Sequence, residues 1–297
     1  MNNINSQVKS NTLAIINTQC FYKKNQKFLE NITKSLKRLN SDVEMTRYSG
    51  HATKILKEDN AVHKDVIAVG GDGTILEVIN GMDLKQQKLC VFPVGYANGL
   101  ATDLGFKSWG QALNAFEQKK LLDVDLIKTT IVDKDGETIE KKVASSCSVG
   151  SFNQIRLKKI KAINILDKIE NKQILDFLHK PFKVKGRIEH SDWNETTLNN
   201  IIIGNTRYIH RNPIFKDADL KDNFFHCVFG NISPLKRFFS NMKLIPLNTY
   251  YGVQKYIKNI EFIFEKPQII MLDGEIIKDC QQINVEIHPE KLLCYRK

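Results

Sequence analysis

Residues 65–81, DVIAVGGDGTILEVING, decide the fold of the first half of the chain. The run DVIAV is short, apolar and β-branched and ends at Gly70, which predicts a buried strand. The segment TILEVIN predicts a helix, because Thr74 followed by Glu77 is a capping-box pattern and Gly81 stands where a glycine often ends a helix. A strand, a glycine loop and a helix in succession point backbone N–H groups and the positive end of the helix dipole at an anion such as phosphate.

Asp72 lies in the middle of this loop, although its carboxylate would repel phosphate. The loop has neither the Gly-Lys-Ser/Thr of a Walker loop nor the G-x-G-x-x-G of a dinucleotide-binding fold. One interpretation is a tight turn with a solvated Asp72. The other is phosphoryl transfer, in which the carboxylate holds Mg²⁺ against the phosphate, or orients or deprotonates a nucleophile. The loop alone leaves both interpretations open.

Strands and helices alternate on both sides of this loop over the first 125 residues. Further buried strands are predicted at 12–16 and 88–93, and helices at 27–39 and 109–120. The alternation predicts an α/β domain with a parallel sheet and helices on both faces.

The pattern changes beyond residue 125. Two alternating runs flank Asp135-Gly136, which is a hairpin signal, and further short strands are predicted at 199–203, 224–229 and 259–264. We therefore expect a second, mainly antiparallel domain, with the boundary near residue 125.

The composition of the 297 residues is that of an ordinary globular protein of two domains. The formal net charge of +11 favours an acidic partner such as nucleic acid, an anionic membrane or a phosphorylated ligand. The sequence shows no signal peptide and no apolar run of membrane-spanning length, so we expect any membrane contact to be peripheral. The six cysteines are widely spaced and form no CxxC, which predicts reduced thiols in a cytoplasmic protein.

A second strand-to-glycine turn, FPVGYANGLATDLGF at 92–106, completes a larger pattern. The two loops together resemble the diacylglycerol kinase and sphingosine kinase family of lipid kinases, in which a GGDGT loop with nEvvnG precedes a PlGTxNDfA segment. TRYSGHA at 46–52 is similar to the family's T-x-x-x-x-H-A segment. SVGSFNQI at 148–155, the stretch from IIIGN to DNFF at 201–225, and MLDGEII at 271–277 are similar to segments of its second domain. GGDGT by itself is shared with NAD kinases and phosphofructokinases, so the order of the segments carries the resemblance.

The resemblance implies a two-domain fold of the NAD-kinase-like superfamily, with the nucleotide in the cleft between the domains. Residues 1–125 would be the nucleotide-binding α/β domain. Residues 126–286 would be the lipid-substrate domain, a mainly antiparallel β-sandwich. A C-terminal strand at about 287–297, containing KLLCYRK, would return to the first domain.

The activity implied is that of an ATP-dependent lipid kinase that phosphorylates a hydroxyl of a diacylglycerol- or sphingoid-like lipid. Its cofactors would be ATP and Mg²⁺, and it would work in the cytoplasm, peripherally at an anionic membrane surface. Two alternatives remain: a family member that binds lipid or nucleotide without turnover, and a small-molecule kinase of the NAD kinase type. The sequence does not indicate the oligomeric state.

The resemblance also assigns roles to individual residues. Glu275 is expected to be the general base, with Asp72 as its rival and as a ligand of Mg²⁺, both lining the same cleft. The residues expected to hold the nucleotide are Asn17, Thr46, Gly70, Gly71, Asp72, Gly73, Thr74, Tyr96 and Asn98. Asp222 aligns with an aspartate that holds a structural Mg²⁺ in bacterial members, with backbone oxygens of Asp219 and Phe224 as companions.

Three departures from the family pattern concern nucleotide binding more than chemistry. The family's N-terminal NPxSGxG loop is NTQCFYKKN here, so that Lys23 or Lys24 would have to replace lost glycine amides. The second loop has Tyr96 for the family's threonine and Asn98-Gly99 for its Asn-Asp pair. These departures keep the non-catalytic alternative open.

Residues 156–187 form a basic stretch, with ten Lys or Arg against three Asp or Glu. Its isoleucines recur at near-helical spacing. One interpretation is a core-facing helix with a solvated charged face, and the other is an element that faces anionic lipid. Few aromatic residues accompany the charges and no recognised nucleic-acid module is present, so we expect no nucleic-acid partner.

Overall fold

The computed structural model describes residues 10–21, 26–150, 181–209, 212–230 and 252–297. The chain divides into two compact units. One contains the residues up to Asp123 together with Leu292–Lys297, and the other contains Val124–Lys291. Each unit has its own sheet.

The first unit is a six-stranded sheet with helices between its strands. The strands are β1 (Thr12–Asn17), β2 (Asp42–Thr46), β3 (Asp65–Gly70), β4 (Lys88–Pro93), β5 (Leu121–Val124) and β18 (Leu292–Tyr295). A 3₁₀ turn covers Thr18–Phe21, and the helices are α1 (Gln26–Arg38), α2 (His51–Asp59), α3 (Asp72–Gly81), α4 (Gly99–Asp103) and α5 (Trp109–Glu117).

The strand order is β2-β1-β3-β4-β18-β5, and the pairs from β2 to β18 are parallel. Successive residues of β1, β3 and β4 are buried, as in Val66–Val69. Neighbouring side chains on a strand point to opposite faces, so both faces of the sheet are covered. The predicted α/β class of this part of the chain is confirmed.

The strand order reverses at β1. The chain places β2 on one side of β1 and then returns to place β3 on the other side. The loops that follow β1 and β3 therefore diverge, and in open α/β sheets ligands bind at such a switch point, beyond the carboxyl ends of the strands. Ile16 pairs with Val69, so Asn17 and Gly70 end the two strands side by side.

The second unit is antiparallel, and none of its described residues is helical. Its strands are β6 (Ile127–Asp133), β7 (Thr138–Val143), β8 (Ser146–Gly150), β9 (Phe182–Ile188), β10 (Asn194–Leu198), β11 (Asn200–Gly204), β12 (Tyr208–Ile209), β13 (Asn212–Pro213), β14 (Phe225–Gly230), β15 (Gly252–Ile257), β16 (Asn259–Leu272) and β17 (Glu275–Ile287). The main order is β15-β14-β11-β8-β16-β17-β6-β7, with β9 and β10 branching from β16 and a small ribbon of β12 and β13.

This sheet must bend back on itself. In the strand order β7 and β8 stand four spacings apart, which is about 19 Å in a flat sheet. Val143 and Ser146 end and begin these strands, and the three residue steps between them span at most about 11 Å. Register shifts in β16 near residues 263–270 and in β17 near Cys280 are where the long strands bend. The curled sheet agrees with the antiparallel, sandwich-like class predicted for this part of the chain.

The hairpin predicted at Asp135-Gly136 is confirmed. Val132 of β6 pairs with Thr138 of β7, and Gly136 has a φ of +86°, which a residue without a Cβ adopts most easily. The side chain of Asp133 accepts hydrogen bonds from the backbone N–H groups of Asp135 and Glu137 and so closes the turn.

Most of the basic stretch at 156–187, including its predicted helical face, lies outside the described residues. The described end of it is strand β9. Each basic residue of this strand faces an acid in the ion pairs Lys183–Glu265, Lys185–Glu195 and Arg187–Glu261. These three charges are therefore neutralised within the unit.

Two further sequence expectations concern membranes and thiols. No helix in the described ranges combines the length and apolarity that crossing a bilayer requires. All six cysteines lie in the described residues and none forms a disulfide. Five of them are buried, and burial raises the pKa of the Cys280 thiol to about 12.

Candidate functional site

The glycine loop after β3 leads directly into α3, which begins at Asp72 rather than after Thr74. Gly71 is the N-cap residue, and no side chain caps the helix. The predicted capping box is therefore wrong. Glu77 instead accepts a hydrogen bond from the Ala52 N–H of α2 at 3.2 Å, and the Thr74 hydroxyl accepts one from Asn17 Nδ2 at 2.8 Å. Both side chains bind neighbouring elements, so tertiary contacts determine where the helix begins.

Gly81 is the last residue of α3, and the predicted C-cap role is also wrong because Met82 follows as the cap in an extended conformation. A Cβ on Gly81 would lie 2.8 Å from the Cβ of Leu56 and 2.8 Å from the carbonyl oxygen of Thr53. The glycine is thus needed for the close approach of α2 and α3.

The three loop glycines have different reasons for being glycine. A Cβ on Gly70 would lie 2.4 Å from Thr74 Cβ, so Gly70 makes room for that side chain. Gly71 lies against Gly95 of the second loop. A Cβ on Gly73 would meet nothing within 4 Å, and Gly73 lies within α3, where glycine costs about 1 kcal/mol relative to alanine. No contact with the described residues explains Gly73, whereas a ligand placed against the first turn of α3 would.

The second glycine loop packs directly on the first. The Val94 N–H donates to the Gly70 carbonyl at 3.1 Å, and a Cβ on Gly95 would lie 2.3 Å from Gly71 Cα. The Asp72 carboxylate accepts hydrogen bonds from the backbone N–H groups of Asn98 at 3.0 Å and Gly99 at 2.8 Å. Asp72 therefore ties the two loops together at the start of α4. Neither of the two alternatives drawn from the sequence included this role.

The other residues expected at the nucleotide lie along the same carboxyl edge of the sheet. Asn17 and Thr46 end the neighbouring strands β1 and β2 as a register pair, and Thr46 is buried. Asn98 precedes α4 with a φ of +53°, and its Nδ2 donates to the Gly95 carbonyl at 3.0 Å. Tyr96 is 72% exposed. The second glycine loop thus carries a large exposed aromatic side chain.

The second unit carries the Asp-Gly-Glu sequence at the tip of the β16–β17 hairpin. Leu272 pairs with Glu275, and the turn residues Asp273 and Gly274 have φ values of +40° and +98°. The Asp273 carboxylate is buried and accepts hydrogen bonds from three consecutive backbone N–H groups, those of residues 144, 145 and 146. Asp273 is therefore structural, whereas Glu275 is half-buried and pairs with the Lys141 ammonium at 3.3 Å.

The residues expected at a structural Mg²⁺ lie in a turn before β14. Asp222 Oδ1 accepts a hydrogen bond from the Phe224 N–H at 3.0 Å. Burial raises the pKa of the Asp222 carboxyl, and the negative charges of Asp219 and Asp125 raise it further against the opposing effect of the Phe224 N–H. Asn223 has a φ of +65°, a left-handed conformation that asparagine adopts more readily than most residues.

Sequence reasoning missed a buried polar group beside this turn. Asp125 is 1% exposed and forms an ion pair with Lys291 Nζ at 2.8 Å, and its carboxylate also accepts from the Asn223 N–H. Asn205 Nδ2 donates to the Asp125 carbonyl at 2.6 Å. The only local signal was that Asp125 lies between the apolar residues Val124 and Leu126 in the run LLDVDLI. Its partners are 80 to 166 residues away, so no spacing rule would find them.

The described residues contain no group of three or more His, Cys, Asp or Glu side chains arranged to hold a metal ion. Among the described residues, Asp72 is the carboxylate that lies within the two glycine loops, and its two oxygens accept amide hydrogen bonds from Asn98 and Gly99. Mg²⁺ is commonly held by one or two carboxylates, waters and substrate phosphates.

Comparisons with known proteins agree with this geometry. Residues 11–129 match the sequence profile of the diacylglycerol kinase catalytic domain. A diacylglycerol kinase structure from Bacillus anthracis str. Sterne has a TM-score of 0.73 at 18% identity, with 97% of each chain covered. A further structure from the same organism has a TM-score of 0.72 at 19% identity, again with 97% of each chain covered.

An NAD kinase from Archaeoglobus fulgidus in complex with ATP has a TM-score of 0.53 at 13% identity, covering 96% of this chain and 93% of that one. At such identities the structural matches establish the fold. No curated protein matches the sequence significantly. The sequence resemblance described above is confirmed by the domain match.

Proposed function

We propose that this chain, which residues 11–129 place in the family of the diacylglycerol kinase catalytic domain, is an ATP-dependent lipid kinase. Its substrate would be a hydroxyl of a diacylglycerol- or sphingoid-like lipid, reached peripherally at the cytoplasmic face of an anionic membrane. The observation that carries the proposal is the pair of glycine loops at the switch point of the first sheet, with Gly73 facing open space on the first turn of α3.

The first unit would hold the nucleotide. Backbone N–H groups at residues 71–73 and the N-terminus of α3 favour phosphate, and the missing side chain of Gly73 allows it to approach. Gly70 and Thr74 shape this loop, and Asn17 supports Thr74. Thr46, Tyr96 and Asn98, along the same edge, would contact the rest of the nucleotide.

Asp72 would have two roles in this proposal. It holds the second loop against the first through the N–H groups of Asn98 and Gly99. As a carboxylate at a phosphate-facing loop it would also be a ligand of Mg²⁺, which when bound would neutralise charge on the phosphates. A Mg²⁺ ion between the carboxylate and the phosphates would explain why a carboxylate is useful in a loop that otherwise favours anions.

The chemical step would use Glu275 of the second unit. The lipid hydroxyl oxygen would form a bond to the γ-phosphorus of ATP, the bond from that phosphorus to the β,γ-bridging oxygen would break, and Glu275 would accept the hydroxyl proton. ADP and a phosphorylated lipid would result. The proposal requires Glu275 to reach the nucleotide during the reaction. A structural Mg²⁺ at Asp222, with backbone oxygens of Asp219 and Phe224, remains part of the proposal.

The test is a transfer assay with ATP labelled on its γ-phosphate, vesicles of total membrane lipid, and NAD in a parallel reaction. We expect label in a lipid whose mass increases by one phosphoryl group, and none in the NAD reaction. Label in NADP would favour a kinase of the NAD kinase type. ATP binding without label in any acceptor would favour a non-catalytic binder and would overturn the proposed activity.

A further inference from the structure

The two acids of the Asp-Gly-Glu sequence are held by one short stretch of chain, residues 141–146. Backbone N–H groups at 144–146 bind the Asp273 carboxylate at 2.7 to 3.1 Å, and the Asp273 N–H donates back to the Ser146 carbonyl at 2.9 Å. At the other end of the stretch, the Lys141 ammonium contacts Glu275. The hairpin tip is therefore fixed at two points on the same segment.

Lys141 contacts both carboxylate oxygens of Glu275. Its Nζ lies 3.3 Å from Oε1 and 3.4 Å from Oε2. Lys141 is itself fixed in β7, opposite Thr129, whose hydroxyl donates to the Lys141 carbonyl at 3.1 Å. An ammonium shared by both oxygens restricts rotation of the carboxylate about its last bond, which is otherwise a soft torsion.

The Lys141–Glu275 pair is more buried than the Lys134–Asp279 pair of the same unit. The side chains of Lys141 and Glu275 are 25% and 30% exposed, whereas those of Lys134 and Asp279 are 50% and 55% exposed. Exposed pairs contribute little because water and salt screen them and both side chains lose entropy. The Lys141–Glu275 pair is better shielded and joins residues 134 positions apart in the sequence.

We propose that Lys141 is a positioning residue that orients the Glu275 carboxylate toward the acceptor hydroxyl. This inference rests on the proposed function, because it assigns to Lys141 an effect on proton transfer that passes through Glu275. With both oxygens held on the side of Lys141, their remaining lone pairs face away from the ammonium, where a hydroxyl proton can be accepted. Positional errors of about 1 Å in a reacting group can lower rates by about 100-fold.

The experiment measures kcat and KM for the lipid and the affinity for ATP in Lys141→Met, Lys141→Arg and the control Lys134→Met. We expect Lys141→Met to lower kcat by about 10- to 100-fold and to leave the lipid KM and ATP affinity within about twofold. Lys141→Arg keeps the positive charge, so its kcat should be close to that of the unmodified protein and well above that of Lys141→Met. Lys134→Met removes a lysine from another ion pair of the same unit and should behave as the unmodified protein.

The decisive arm repeats Lys141→Met in the Glu275→Gln background. A residue that acts through Glu275 should have no further effect once Glu275 is neutral, so the double variant should match Glu275→Gln alone. An equal loss in both backgrounds, or normal kcat in Lys141→Met, would overturn the inference while the kinase activity stands. If Lys141→Met melts at a lower temperature, Lys141→Gln takes its place with the same expectations. Absence of turnover in the unmodified protein would instead overturn the proposed function, and this inference with it.

Discussion

At the scale of single residues, the glycine loop was readable from the sequence because its signal is local. Three glycines and a threonine between a strand and a helix predict a phosphate-facing turn. The role of Asp72 was not readable, because the N–H groups it binds lie 26 and 27 positions further along the chain. The same limit hid the Lys141–Glu275 pair. The contacts of a side chain are therefore predictable from local sequence only when both partners are neighbours in the chain.

Gly73→Ala tests whether this loop faces a ligand. The added methyl group meets no atom of the described residues, and alanine favours helix. The variant should therefore be as stable as the unmodified protein or more stable by up to about 1 kcal/mol. Its affinity for ATP, measured by calorimetry, should nevertheless fall at least about tenfold, because the methyl group occupies the space into which phosphate would come.

Gly110→Ala is the matched control for this variant. Gly110 is the second residue of α5, as Gly73 is of α3, and its added Cβ would reach only Ser108 Oγ at 4.0 Å. It should gain the same helix stability and keep full ATP affinity. Normal ATP affinity in Gly73→Ala would remove the phosphate site from the first turn of α3.

Asp72→Asn is expected to lower turnover at least tenfold, and also to loosen the two loops. Both carboxylate oxygens accept amide hydrogens, so one of them would be replaced by an NH₂ group facing an N–H donor, at a cost of about 1 to 3 kcal/mol. Melting should be followed by Trp109 fluorescence in a Trp193→Phe background, which leaves one tryptophan, in the first unit.

A magnesium titration separates the two roles of Asp72. If the carboxylate holds Mg²⁺, the residual turnover of Asp72→Asn should require a higher magnesium concentration. If the magnesium requirement is unchanged and the melting temperature is lower, Asp72 only holds the two loops together and does not bind Mg²⁺. A variant with unchanged melting and more than a tenth of normal turnover contradicts both roles.

At the scale of helices and strands, elements were predicted well and their ends less well. Strands β1, β3 and β4 were predicted because each is a buried apolar run, whereas the mostly exposed β2 was not predicted. The start of α3 was misplaced because Thr74 and Glu77 form contacts with Asn17 and with α2 that a local capping rule does not consider. Gly81 was misassigned for the same reason, since it is required by helix packing rather than by helix termination.

His63, in the turn between α2 and β3, contacts one aspartate of β2 and one of α2. These contacts should make the stability of the first unit depend on pH. His63 Nε2 lies 2.8 Å from Asp42 Oδ2 in β2, and its Nδ1 lies 2.5 Å from Asp59 Oδ1 at the end of α2. Burial of the ring lowers the His63 pKa, but hydrogen bonds and charge attraction from Asp42 and Asp59 outweigh it, so the pKa is raised overall. The charged ring is therefore favoured in the folded state.

The sign of the effect follows from that shift. A raised pKa in the folded state contributes stability that is complete below the unfolded value of about 6.5 and is lost as pH rises through the folded value. Urea unfolding of the first unit, followed through Trp109 in the Trp193→Phe background, should show decreasing stability from pH 6 to pH 9. His63→Gln should remove most of this slope. A slope equal in both proteins would exclude His63 as its source.

At the scale of the whole molecule, the residue pattern predicted two kinds of sheet, and only the family resemblance predicted that a C-terminal strand would return to the first. The change from alternating strands and helices to short strands is visible in the pattern near residue 125. The curling of the second sheet follows from pairings such as β16 with β8, which no local pattern encodes. Strand β18 completes the first sheet and is fixed by the Tyr295 hydroxyl, which donates to Asp65 Oδ1 at 2.7 Å. A four-residue apolar run cannot indicate by itself which sheet it joins.

The kinase proposal assigns nucleotide binding to one unit and proton transfer to the other, so the two functions should be separable by mutation. Glu275→Gln keeps the size and shape of the side chain and removes its ability to accept a proton. We expect kcat to fall by about 10² to 10⁴, the usual contribution of a general base, with ATP affinity and lipid KM nearly unchanged. Gly73→Ala should instead weaken ATP binding and leave the proton-accepting group in place.

Glu286→Gln is the control for Glu275→Gln because it changes the same residue type on the same strand. Glu286 pairs with Lys128 at 3.5 Å, so both variants remove one carboxylate from an ion pair of β17. If both variants lose turnover equally, the loss reflects the strand and not a base. If Glu275→Gln turns over normally, the proton must pass to Asp72 or to water. If the unmodified protein binds ATP and transfers no phosphate to any lipid, Tyr96→Thr becomes the variant to examine. Tyr96 is a large exposed side chain in the second glycine loop, at a position where the family pattern has threonine.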